Sequence, residues 1–333
     1  MSLITPANRL DVVNIGLLIV SCILAFIMPF ELFLFAYGVL GPLHYLTEIS
    51  WLHDKNYFST DRRDAVLLVV ISLVLTILSL KSYIGLDFLE VDNKYINRMI
   101  FVAFGSSLFF AFIRNRMYKL IGVALVILLS AVSDHLVLVF SVFLPTLVHV
   151  FIFTSLFMLF GALKTRSKAG YLSVAIHWMV PFVLFFLFSG REFVPITSYG
   201  LEAYQQFHTL NQVILQLMNS AEGDIVNQIY HSPTGLAIMR FIGSAYTYHY
   251  LNWFSKTELL QWHRIEKARL YPIIAIYVVS IGLYAYDYKL GFAVLPFLSF
   301  LHVIAEFPLD VQVMRNLVRG LMPAPASTGA GRA

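Results

Sequence analysis

Apolar runs of roughly 20 residues recur about every 30 residues along this chain, and nearly all of its charge falls in the short stretches between them. A run of that length, wound as a helix, is about what a bilayer's hydrocarbon core requires. Little chain is left outside the membrane. The 333 residues are 59% hydrophobic and 13% charged, against about 45–50% and about 25% in an ordinary soluble domain, so a cytosolic or secreted globule is excluded. The formal charge of +4 comes from short basic clusters between apolar runs, not from one polar face, and so marks topology instead of a nucleic-acid partner. Cys22 is the single cysteine, which rules out disulfides, a thiolate zinc site and an iron–sulfur cluster. Any metal must bind through nitrogen and oxygen.

The pattern predicts an all-α, polytopic integral membrane bundle of about ten transmembrane helices, near 10–28, 31–51, 64–82, 97–113, 118–134, 136–162, 169–189, 236–255, 270–286 and 290–309. The first run carries no small-residue cleavage signature and is read as a retained span. Lys55, Arg62 and Arg63, then Arg114, Arg116 and Lys119, then Lys164, Arg166 and Lys168 fall in alternate loops. Those loops belong on the cytoplasmic side. Lys256, Arg264, Lys267, Arg269, Arg315 and Arg319 agree with them, and both termini come out cytoplasmic. Ser133-Asp134-His135 and Asp287-Tyr288-Lys289 read as tight turns at the opposite face. One transmembrane domain thus covers 1–310, followed by a cytoplasmic tail, 311–333, disordered at its end. The 190–235 segment is the exception to compactness: Tyr204, Phe207, Leu210, Ile214 and Leu217 recur at helical spacing, as in an amphipathic outer-side helix or an ordered loop packed over the bundle.

Inside the spans the ionisable residues are selective. A charged side chain at mid-helix costs at least about 2.5–3.5 kcal/mol, so such groups persist where they pair, bind a ligand or line a wet cavity. No lysine or arginine is expected well inside a span; instead there are His44, His149, His177, His249 and His302, with Glu48 and Glu306. In four spans running inward the histidine falls about 12–13 residues from the outer boundary, roughly 18–20 Å deep. His177, approached from the inner side, falls at about the same level. Five imidazoles are expected in one layer of the cytoplasmic half. Glu48 and Glu306 each follow a histidine by four residues, which sets each pair on one helix face. His53 and His263 at the inner rim, and His135, His208 and His231 on the outer side, read as surface residues.

Imidazole and carboxylate without thiolate suit non-haem iron, zinc or manganese, and bundles that hold one or two such ions draw inward-facing Glu and His from several helices. Thr146 and Asn252 are candidate partners fixing an imidazole tautomer. Tyr246 and Tyr250 share a helix face with His249 and are the candidate catalytic hydroxyls, while Trp253, Phe254 and Lys256 fit the interfacial belt. Pro42, Pro145 and Pro296 precede histidines and open the helix nearby. No phosphate-binding glycine loop, Gly-x-Ser-x-Gly elbow or His-Glu-x-x-His helix occurs, and no lysine is placed for a retinal Schiff base.

The His-x3-His, His-x4-His and His-x2-His-His boxes of membrane desaturases are absent as well. With histidines scattered singly over several spans, Gly41-Pro42-Leu43-His44 resembles the Brp/Blh carotene-cleaving membrane oxygenases. That resemblance covers about four residues, and no site residue is carried over on it. The residues themselves predict a metal, iron first and zinc or manganese next, as one or two ions held by His44, His149, His249 and His302 with His177, Glu48 and Glu306. The expected protein is an oxidoreductase of a bacterial cytoplasmic (inner) membrane, with the bilayer and a lipophilic small molecule as partners and no nucleic acid. A secondary transporter or channel using the same layer for protons or cations is the alternative.

Overall fold

A computed structural model describes residues 6–55, 62–81, 84–86, 88, 91–187, 194–221, 223–256 and 265–321. No strand occurs among them, so the all-helical class holds. In chain order the helices are α1 (Pro6–Ile27), α2 (Pro29–Phe35), α3 (Gly41–Lys55), α4 (Arg62–Leu80), α5 (Asn93–Phe112), α6 (Arg116–Ser130), α7 (Asp134–Phe143), α8 (Thr154–Thr165), α9 (Lys168–Phe182), α10 (Ser198–Tyr204), α11 (His208–Leu217), α12 (Ile225–His231), α13 (Pro233–Ser255), α14 (Lys267–Tyr286), α15 (Tyr288–Val294) and α16 (Pro296–Leu321). Seven helical stretches among the described residues are long and apolar enough to cross a membrane. The other three expected spans fall on α4, on the 15-residue α6 and on α13, the last being long but rich in tyrosine, serine and threonine. The last expected span is divided at Leu295, and its helix continues to Leu321, well beyond the expected boundary at 310.

The turns are set by local capping. Ser133 accepts from the Leu136 amide to start α7, and Asp287 accepts from the Lys289 and Leu290 amides to start α15, so both expected tight turns end one helix and cap the next. Ser232 caps α13, with Pro233 at its first position.

Three segments widen from α to π geometry: Ala36–Leu40, Leu144–Phe153 and Val183–Leu187. Each lies beside a proline, Pro42, Pro145 or Pro181. Proline cannot donate to the carbonyl four residues back, and a wider turn accommodates the missing bond. At Pro145 the consequence is visible: Thr146 leaves helical geometry (φ −114°, ψ −105°), and its hydroxyl donates to the Val142 carbonyl at 2.5 Å. Thr146 therefore serves the backbone, not an imidazole.

Helix α13 is the centre of the bundle. It packs against α1, α2, α3, α11, α12 and the Leu144–Phe153 segment, and almost every residue from Gly235 to Tyr250 is buried. Arg240 is buried with it, contrary to the expectation of no arginine well inside a span. Its Nε donates to the Phe26 carbonyl at 3.2 Å where α1 ends, and its guanidinium lies 4.4 Å from the Phe26 ring centre. A cation at a helix C-terminus meets the negative end of the helix dipole, so the charge is used for capping.

Helices α10, α11 and α12 close one end of the bundle. Tyr204, Asn211, Leu215 and Ile229 are fully buried there, which favours a packed cap over a helix floating on the surface. Within the cap His208 Nε2 lies 2.7 Å from the Tyr230 hydroxyl, which also donates to the Leu201 carbonyl. Burial holds the His208 imidazole below its usual range and pushes the Tyr230 phenol up to about 12. Because the folded His208 resists protonation, its contribution to stability is complete above the unfolded value of about 6.5 and is lost as pH falls through that value toward the lower folded one. Amide exchange in 198–217 should accelerate relative to α13 as pH drops from about 7 to about 5. An unchanged ratio would contradict this.

Candidate metal centre

Four of the five histidines expected within the spans meet. His44 comes from α3, His149 from the π segment before α8, His249 from α13 and His302 from α16, and each is 8% exposed or less. Their ring centres form a closed quadrilateral: 4.7 Å from His44 to His249, 4.7 Å from His249 to His149, 5.3 Å from His149 to His302 and 5.3 Å from His302 back to His44. Chain-distant residues are thereby joined, His44 and His249 being 205 residues apart.

The nitrogens facing inward are available. The Nδ1 of His302 lies 3.2 Å from the Leu298 carbonyl, which must accept its proton, and this leaves Nε2 as a lone pair with no partner. His249 Nδ1 is 2.7 Å from the Thr154 hydroxyl, while its Nε2 is 3.1 Å from His44 Nε2. Neither nitrogen of His149 has a partner. Imidazoles whose far nitrogen is fixed by a hydrogen bond and whose near nitrogen is bare are the arrangement that metal ligation needs.

The separations also fit an ion. Two ligands each about 2.0–2.1 Å from a metal stand roughly 2.9 Å apart at a right angle and roughly 3.4 Å apart in a tetrahedron. His44 Nε2 lies 3.1 Å from His249 Nε2 and 3.0 Å from Glu48 Oε2, and His149 Nδ1 lies 3.4 Å from Glu306 Oε2. The Glu48 and Glu306 carboxyl groups also meet each other through a side-chain hydrogen bond. Three sets of potential ligands have all their donor atoms within 4.8 Å of one another: His44 with His149 and His249, His44 with Glu48 and His302, and His149 with Glu306 and Asp310. Buried His, Glu and Asp groups here can therefore hold a metal ion.

His177 does not join them. Its Nε2 lies 3.2 Å from the Phe151 carbonyl in the π segment, its ring stacks on Phe151 at 4.2 Å, and it belongs to none of the three sets. Depth in the bundle was right for a ligand, but α9 presents it to the far side of the Leu144–Phe153 segment. Asn252 likewise faces away, donating to Asn14 of α1 and to Tyr248. The partner that fixes an imidazole is Thr154 instead. Of the remaining histidines, His53, His135 and His231 are exposed and His208 is half-buried; His263 lies outside the described residues.

A cavity of about 210 Å³ runs from His149 and His302 toward the capped end of the bundle. Phe33, Tyr37, Tyr246, Phe292 and Phe300 wall it, and Tyr204, Phe207 and Leu210 of the cap bound its far end. Tyr246 lines this wall, while Tyr250 is at the floor with its hydroxyl 2.9 Å from that of Tyr45. Tyr45 also stacks on the His302 ring at 4.2 Å. On the opposite side of the histidines, the Trp253 indole donates to Thr47 at 3.0 Å with its ring 5.3 Å from His44. Trp253 thus closes the centre from below, a more specific placement than the interfacial belt.

No family model, curated protein or solved structure matches this chain.

Proposed function

We propose that the protein is an integral membrane, metal-dependent oxidoreductase, an oxygenase of the non-haem iron type acting on a lipophilic substrate. Its carrying observation is a ring of four buried imidazoles, with bare nitrogens on His149 and His302, standing at the end of an aromatic cavity. With the three helices short of the apolar criterion included, the chain makes ten spans with both termini in the cytoplasm of a bacterial inner membrane. On the positive-inside orientation the capped end is the outer one.

Iron bound by the histidines and carboxylates would supply the one-electron chemistry that lets dioxygen react with an apolar molecule. The chain's own residues supply the rest. The Leu298 carbonyl holds the His302 proton on Nδ1, and the Thr154 hydroxyl orients the His249 ring. Tyr45 and Tyr250 share a hydrogen bond at the cavity floor, with Ser299 bonded to Tyr45 as well, and this hydroxyl chain is placed to donate to an oxygen arriving there. Phe33, Phe292 and Phe300 exclude water and orient the substrate. An aromatic wall suits an apolar molecule better than the hydrated ion that a transporter would pass, which is why the enzyme is favoured.

Protein purified in detergent should retain a transition metal, and after loading with Fe²⁺ it should consume dioxygen when a lipid extract of the host membrane is added. His149→Ala should abolish both. Less than about one tenth equivalent of any transition metal, unchanged by that substitution, would remove the metal from the protein and the oxidative chemistry with it.

A further inference from the structure

The seven polar side chains at the centre are more than a single ion uses, and two of the three ligand sets share no member, while the third, His44 with His149 and His249, bridges them. His44, Glu48 and His302 form one set, with His249 Nε2 3.1 Å from His44 Nε2; His149, Glu306 and Asp310 form the other. The second set contains a residue absent from the expected site. Asp310 is 1% exposed, and neither of its carboxylate oxygens has a hydrogen-bond partner. It follows Glu306 by four residues and His302 by eight on α16, so the three share one face, and side chains on a helix lean toward its N-terminus. Asp310 therefore reaches back toward the histidines.

Such a carboxylate needs an explanation. A carboxyl group buried without a partner is neutralised either by a proton or by a bound cation. Among the described residues Lys256 lies within electrostatic reach of Glu48 and Glu306, and of Asp11 as well. One divalent ion among the histidines still leaves the oxygens of Asp310 without a donor. A second divalent ion supplies one, as in bundles that hold paired metals between Glu- and His-bearing helices.

Resting on the metal-dependent reading, we propose that the centre is binuclear, with a second, hard divalent cation of the manganese or ferrous class held by His149, Glu306 and Asp310. One nitrogen and two carboxylates favour such a cation over the softer ions that an all-imidazole site accepts. The two ions are adjacent, because donor atoms of His44 and His149 lie within 4.8 Å of each other.

The full-length protein, freed of metal by chelation in detergent and titrated with Mn²⁺, separates the alternatives. Wild-type protein should take up two equivalents and show the exchange-broadened electron paramagnetic resonance signal of a coupled pair. Asp310→Asn, which keeps the side chain's size, should take up one equivalent with the sharp six-line signal of an isolated ion. Wild-type saturation at one equivalent, or two equivalents retained by Asp310→Asn, overturns the second ion while leaving the first in place. No uptake at all overturns the metal-dependent reading itself. Because the wild-type stoichiometry and signal decide the matter alone, misfolding of the variant does not protect the proposal.

Discussion

Alanine in place of His249 should lower metal affinity by more than about 100-fold, measured by competition with a chelator, since loss of a residue that only orients a ligand already costs about 10–100-fold. His249 stands between two neighbours with different duties. Its Nδ1 is held by the Thr154 hydroxyl, and its Nε2 meets His44 Nε2 at 3.1 Å. Removing the ring takes away one donor and leaves His44, His149 and His302 around a void that water can fill but not ligate as well. Thr154→Val, which removes only the orienting hydroxyl, should fall in the smaller range. His177→Ala is the informative control. It deletes an equally buried imidazole at the same depth, but one that bonds a backbone carbonyl, so it should lower thermal stability and leave metal affinity within about twofold of wild type, as a change outside the coordination shell should. If His249→Ala behaved like His177→Ala, losing stability alone, the four rings would be packing residues.

The contrast between these histidines shows what the sequence could convey. Burial is legible from position within an apolar run, and all five are 8% exposed or less. Azimuth is legible only while the helical period is known. His44 with Glu48 and His302 with Glu306 lie on regular α-helix, where four residues return to the same face, and both pairs do enter the centre. Across Leu144–Phe153 the period changes, because a π turn closes at five residues. Thr154, five residues after His149, is thereby turned toward His249, in place of the expected Thr146. The signal available was Pro145 itself, since a proline within an apolar span implies a backbone that departs from 3.6 residues per turn. Asp310 was missed for another reason. It sits two residues past Pro308, at the expected end of the last span, where an acidic residue reads as interfacial; only the continuation of α16 to Leu321 places it inside. Arg240 shows the same limitation, its role depending on where α1 ends in space. Tyr45 follows His44 directly in the chain, and neighbours in a helix point about 100° apart. Its stack on His302 comes from the crossing of α3 and α16, which no local pattern records.

Enlarging Ser299 tests the cavity independently of the metal. Ser299 lies on α16 among the residues lining the cavity, three positions before His302 and so on nearly the same face. Phenylalanine there would fill part of a space of about 210 Å³ immediately in front of the imidazoles. Because small misplacements of a reacting atom cost about 100-fold, Ser299→Phe should reduce dioxygen consumption with the membrane lipid extract by about that factor while metal content stays at the wild-type level. Ser299→Ala, which leaves the space open, should keep most of the rate. The lipophilic material recovered by solvent extraction of the purified protein should fall in parallel with the rate for Ser299→Phe. These outcomes separate three roles for the aromatic walls. A substrate reaching the centre through this space gives loss of rate with metal retained. A merely structural void gives a change of stability and no change of rate. Access by another route, between helices on the side of Trp253, leaves Ser299→Phe fully active and transfers the sensitivity to Trp253 and Thr47, whose contact closes the centre from below.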